Sequence, residues 1–109
     1  MSRPFIGQMR RRLTIQSAVD VADGAGGVQR RFQDVGGLWA QIRPLSVTSR
    51  ITPAGEQALI THLIIYRERS MVTAGMRFVI GNRIFNILAI ETYDDLSSFV
   101  RALCQEIRP

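Results

Sequence analysis

From Arg11 to Ser17 the chain reads "RRLTIQS", with Leu13 and Ile15 on one face and Thr14 and Gln16 on the other. Alternation with a period of two marks a half-buried strand. In "VDVADGAGGVQ", Asp23-Gly24 and Gly26-Gly27 predict a flexible connection and a hairpin tip. A second strand is expected from Gln29 to Asp34, centred on Phe32. Gly36-Gly37 then breaks the chain before "LWAQIRP", where Leu38, Ala40 and Ile42 alternate with Trp39, Gln41 and Arg43. Pro44 is expected to close that strand, because proline brings no N–H to a ladder.

Residues 45–58, "LSVTSRITPAGEQA", show neither helical nor strand period and contain Pro53 and Gly55. They predict an extended, mobile excursion, with a helical turn near Glu56-Gln57-Ala58 as an option. Excursions of this length in a small domain are more often functional than decorative. "LITHLIIYR" follows as a strand over Leu59 to about Arg67, apolar on both faces except at Thr61 and His62. Such a strand is covered on both sides, and the second cover is expected to be another copy of the protein. In "VIGNRIFNI" two apolar runs meet at Gly81-Asn82, a pair suited to a two-residue hairpin turn. "YDDLSS" makes a turn, and Phe99 to Glu106 reads as a last strand or, equally, a short helix. About six short strands with Gly-rich turns indicate an all-β fold, a small β-barrel or sandwich with one long loop. Trp39, Phe78, Phe85 and Ile87 are its expected core. At 109 residues the chain is read as one domain, with residues 1–9 as an N-terminal arm.

Composition narrows the chemistry. The 46% hydrophobic content allows an ordinary core, and no apolar run approaches the length of a membrane helix, roughly 20 residues. Without a signal-peptide core at the N-terminus, the chain is expected to stay in the cytosol and to contact no membrane. The formal net charge is +5, and every one of the 14 basic residues is arginine. That balance favours acidic proteins or nucleic acid as neighbours. His62 is the only histidine and lies inside a strand, so it reads as a packed or interface side chain. Cys104 has no metal-ligand spacing or activating context around it, and Asp94-Asp95 read as solvated turn residues. No phosphate-binding loop follows the glycines near 24–27. These readings leave no catalytic residue, metal site or cofactor to assign, and an enzyme is not expected.

Two arginine clusters remain: Arg10, Arg11 and Arg12 at the start of the first strand, and Arg30 and Arg31 in its expected hairpin partner. If those strands pair, the five side chains would form one basic patch able to meet phosphates or an acidic protein. Phe32 alone is near enough to stack on a base, which argues against specific recognition of single strands.

The order of these pieces resembles the phage head–tail joining proteins, also called head-closure or stopper proteins, with relatives in gene transfer agents. The likeness runs through "RRLTIQ", "LWAQIRPLS", "THLIIYR", "GMRFVIGNRIFNI" and "LCQE", over roughly residues 9–107. It rests on Trp39 with Pro44 and Ser46, on Tyr66-Arg67, and on Gly81, Arg83, Phe85 and Ile87. One departure stands out: members often place a glycine and a nearby glutamate just after the Pro-x-Ser element, whereas here Gly55 and Glu56 come later.

The resemblance implies a small β-barrel with a long loop and a structural role in the virion or a phage-like particle, assembled in the bacterial cytoplasm. It implies a ring of this chain, roughly six or twelve copies, with the portal or adaptor ring above and a tail terminator or tail tube below. Such a ring closes the DNA-filled head, provides the platform for the tail, and meets passing double-stranded DNA without sequence specificity. Arg50, Ile51, Thr52 and Pro53 would then belong to an inter-subunit or channel-facing loop. Arg10, Arg11, Arg12, Arg30 and Arg31 would face the adaptor or the DNA. The alternatives are a small basic barrel that binds nucleic acid as its main task, and a neighbouring tail-terminator or adaptor subunit.

Overall fold

Alternation places Leu13 and Ile15, Leu38 and Ala40, Ile64 and Tyr66, and Phe85 and Ile87 on the same side of their strands, and all eight side chains are buried. A computed structural model describes residues 10–51, 55–68, 71–92 and 98–107. The elements are β1 (Arg11–Ala22), β2 (Val28–Ile51), β3 (Gln57–Arg67), β4 (Arg77–Ile80), β5 (Arg83–Thr92) and β6 (Phe99–Ile107). All neighbours are antiparallel, and the order β1-β2-β3-β6-β5-β4 closes on itself as a barrel through β1 and β4. Closure leaves the barrel wall without a free edge. Phe99–Ile107 is thus a strand and not a helix, because its buried residues face two strand neighbours. The N-terminal arm, the Asp94-Asp95 turn, Thr52 and Pro53 lie outside the described residues.

The core is aromatic at its centre. Tyr66 and Phe78 meet edge to face, with centroids 5.6 Å apart, and His62 meets Phe85 in the same way at 5.1 Å. Phe78 and Phe85 are completely buried, as the sequence predicts. Each contributes about 1.5–3 kcal/mol through its removal from water. Trp39 is not in this core. It is 56% exposed, because Leu38 and Ala40 already occupy the inward positions on either side of it.

Two sequence breaks turn out to be bends in one continuous strand. Gly36-Gly37 does not end a strand: Ile15 pairs with Gly36 and Gln16 with Asp34, leaving Val35 as an extra residue. Such a bulge bends and twists its strand, and Gly36 supplies the space, since a Cβ there would lie 3.3 Å from Met71 Cε. Pro44 does not close β2 either. It pairs with His62, and after a register break the ladder resumes at Thr48↔Ile60 and runs to Ile51↔Gln57. The missing N–H of Pro44 ends the barrel portion of the ladder but not the strand.

Residues 45–51 are therefore strand and not loop. With Gln57–Ile60 they form a two-stranded arm, and Glu56-Gln57-Ala58 hold no helical turn, because Gln57 and Ala58 already pair with Ile51 and Arg50. A straight strand of 24 residues would span about 75 Å at 3.3 Å per residue. The molecule is only 52 Å long, so β2 bends at both irregularities.

The other end of β2 forms a second projection. Residues beyond Gln16 in β1 pair only with β2, giving a ribbon that turns at Asp23–Gly27. Asp23 Oδ1 accepts bonds from the N–H groups of Ala25 (2.8 Å) and Gly27 (3.0 Å), while Gly24 and Gly26 take positive φ. Those backbone bonds hold the Asp23 carboxyl below the usual carboxylate range. The Gly81-Asn82 hairpin is present, with Ile80 opposite Arg83. Only Gly81 takes a positive φ there, 58°, which fits a turn with glycine in its first central position.

Candidate functional site

The chemistry of the chain lies on its projections and outer wall. On the arm, Arg50 Nη1 sits 3.3 Å from Glu91 Oε2 of β5, and Glu91 Oε1 accepts a 3.2 Å bond from Arg101 Nε of β6. Gln57 Nε2 donates to Ser49 Oγ at 2.6 Å across the arm. The arm thus folds back over the barrel, and Leu45, Thr48 and Arg50 enclose a small cavity with Leu63, Glu91, Arg101 and Leu103. Phe99 packs on the fully buried Ile65. The outer face of β3 is therefore covered by the chain's own arm and by Phe99, where the sequence predicts another copy as its cover. Beside the polar Ser49 and Gln57, the arm exposes three large apolar side chains: Val47 is 62%, Ile51 78% and Leu59 47% exposed.

The arginine clusters do not form one patch. Strands β1 and β2 do pair, but Arg11 lies opposite Ala40 and Arg31 opposite Val19. Eight residues along β1 separate the two levels, about 26 Å. The first cluster is itself divided, because neighbouring strand residues point to opposite faces. Arg11 lines a cleft at the barrel end with Gln41, Pro44, His62 and Arg83, whereas Arg12 lies 5.8 Å from the Trp39 ring centroid on the outer wall. In the second cluster, Arg30 reaches Asp20 at 3.5 Å and Arg31 bonds Gln29 at 3.3 Å.

The barrel-end cleft holds a polar cluster. Arg83 binds Glu106 through two nitrogens, at 2.8 and 3.3 Å, which raises the guanidinium pKa further. The Glu106 N–H donates to Thr61 Oγ1 at 2.8 Å, and that hydroxyl is 2.9 Å from His62 Nδ1. His62 Nε2 lies 3.8 Å from Glu106 Oε1. Burial lowers the His62 pKa and Arg83 adds to that, while Glu106 opposes it, so the ring is neutral at pH 7. Burial pushes the Cys104 thiol far up, and a thiol in that state is a poor nucleophile. No group of three or more His, Cys, Asp or Glu side chains among the described residues is arranged to hold a metal.

Sequence reasoning missed two features, Trp39 as a surface residue and Glu91 as the arm's anchor. The alternation of Leu38, Ala40 and Ile42 carried the first signal. The second has no local signal, since Arg50 and Glu91 are 41 residues apart.

The described residues define a class by their fold, a small closed all-β barrel with a projecting hairpin arm that carries exposed apolar side chains. The chain matches the phage head completion protein family over residues 5–107 and belongs to that family. It is a structural head–tail joining protein of the virion. Among solved structures, it is similar to a chain from the virion of a native gene transfer agent particle. The two share 30% identity at a TM-score of 0.70, over 98% of this chain and 100% of the other. It is also similar to a Shigella flexneri 2a protein solved in solution, at 26% identity and a TM-score of 0.66, covering 93% and 95% of the two chains. No curated protein sequence matches it.

Proposed function

We propose that the chain is the head-closure subunit: copies assemble head to tail into a ring between the portal or adaptor and the tail. That ring retains the packaged DNA and forms the platform for the tail, and its activity is binding without catalysis. The observation that carries the reading is the arm. Val47, Ile51 and Leu59 stand exposed on a two-stranded projection, while the surface beneath it is already buried by the same chain. Exposed apolar side chains grouped on a projection favour a protein contact, and a contact between unlike surfaces closes into a ring when its rotation permits. Family membership supports the particle setting, and the +5 charge favours a position near packaged DNA.

The test replaces the three exposed side chains together, V47S/I51S/L59S, in cells that make the particle. The expected result is a folded chain with heads that have lost DNA and carry no tail. Normal yields of tailed, DNA-filled particles would overturn the arm's role.

A further inference from the structure

Across four neighbouring strands, the outer wall carries a row of alternating arginine and aromatic side chains. Arg12 on β1 pairs in register with Trp39 on β2, and Arg67 on β3 pairs with Phe99 on β6. The two pairs are adjacent, because the β2–β3 ladder begins at Ala40↔Tyr66, one residue away from Trp39 and Arg67. Their inward neighbours Leu13, Ala40, Tyr66 and Val100 are buried, so all four side chains point out of the barrel. At about 4.8 Å per strand, the row spans about 14 Å.

The row is built and not accidental. The Arg67 guanidinium lies over the Phe99 ring at 5.2 Å, and Arg12 lies near Trp39 at 5.8 Å. Gly37 makes room for Arg12: a Cβ on it would fall 2.9 Å from Arg12 Nη2. Tryptophan and arginine are the residues that most often carry binding energy at protein interfaces, since each offers a large, flat and partly polar surface. An exposed tryptophan flanked by arginines costs solubility unless something covers it.

We propose that Arg12, Trp39, Arg67 and Phe99 form a docking surface for an acidic, apolar-bearing surface of a different protein. Two arguments select that partner. Duplex DNA keeps its bases stacked, so it could use the arginines but has no face to offer Trp39. A second copy is a poor match because it carries the same formal net charge of +5, and like charge opposes docking on a surface that presents two arginines. The surface is also separate in register from the arm, whose ladder lies beyond Pro44. The inference rests on the virion reading only for where the partner is found.

The test installs a photocrosslinking residue, Trp39→p-benzoylphenylalanine, in the full chain within assembled particles, with Arg67→p-benzoylphenylalanine as a second site. After irradiation, mass spectrometry should find both sites joined to an Asp- or Glu-rich peptide of another particle protein. Crosslinks to nucleotides or to a second copy, or none at either site, would overturn the proposal while leaving the head-closure reading intact. A chain missing from wild-type particles would contradict that reading instead. Charge reversal with R12E/R67E should reduce incorporation at least about tenfold without altering the thermal transition of the free chain; unchanged incorporation would also overturn the proposal.

Discussion

Arg50 on the arm and Glu91 on β5 lie 3.3 Å apart, and Glu91 holds Arg101 with its other oxygen, so one carboxylate ties a projecting hairpin to two barrel strands. Both partners are partly exposed, and such pairs contribute at most about 1 kcal/mol. Their effect is on where the arm sits. Glu91→Gln is expected to shift overall stability by no more than about 1 kcal/mol, while hydrogen exchange in residues 48–51 and 57–60 accelerates. Unchanged exchange in the arm would show that the Glu91 pairs do not position it.

The barrel itself depends on its aromatic centre. Phe85→Ala removes a fully buried ring that contacts His62 and should cost about 3–5 kcal/mol in urea unfolding. A domain of this size holds only about 5–15 kcal/mol in total. The variant should therefore be close to unfolding at 37 °C, and a loss below about 1 kcal/mol would contradict the burial assigned to Phe85.

His62 makes stability depend on pH. Its folded pKa is lowered from 6.5, chiefly by burial, so the unfolded chain takes up a proton first as pH falls. The stabilising contribution is complete above pH 6.5 and is lost as pH drops toward the lowered folded value. Arg83, Glu106 and Thr61 face this ring, with Arg11 in the same cleft. The melting temperature should fall between pH 7.5 and pH 5.5, and His62→Gln should flatten part of that slope. A melting temperature that rises over the same interval would show the Glu106 attraction to dominate.

The separation of the arginine clusters limits duplex binding. Arg30 is paired with Asp20, and about 26 Å divides the two levels. Each cluster is expected to act independently, with weak duplex affinity at low salt that is lost at physiological salt. A tight complex surviving physiological salt would favour nucleic-acid binding as the main task.

Much of this architecture was legible along the chain. The alternations around Leu13 and Ile15, the Gly81-Asn82 turn and the buried Phe78 and Phe85 follow from local periodicity. The length of β2 was not legible, because Gly36-Gly37 and Pro44 are strand breakers by residue type but serve here as bends in a wrapped strand. The fold-back of the arm depends on Arg50 meeting Glu91, a pairing that no local pattern encodes. The assignment of Trp39 to the core gave weight to residue type over parity, and parity placed it correctly. The two arginine clusters were visible, but only the register of β1 against β2 shows how far apart they lie.

The central claim is that this chain closes the filled head and receives the tail. Cryo-electron microscopy of particles from cells lacking the gene, beside wild-type particles, tests it most directly. The account predicts heads that package DNA, lose it and carry no tail, with density for this chain missing at the head–tail junction. Complete, DNA-filled, tailed particles from the deletion strain would contradict it.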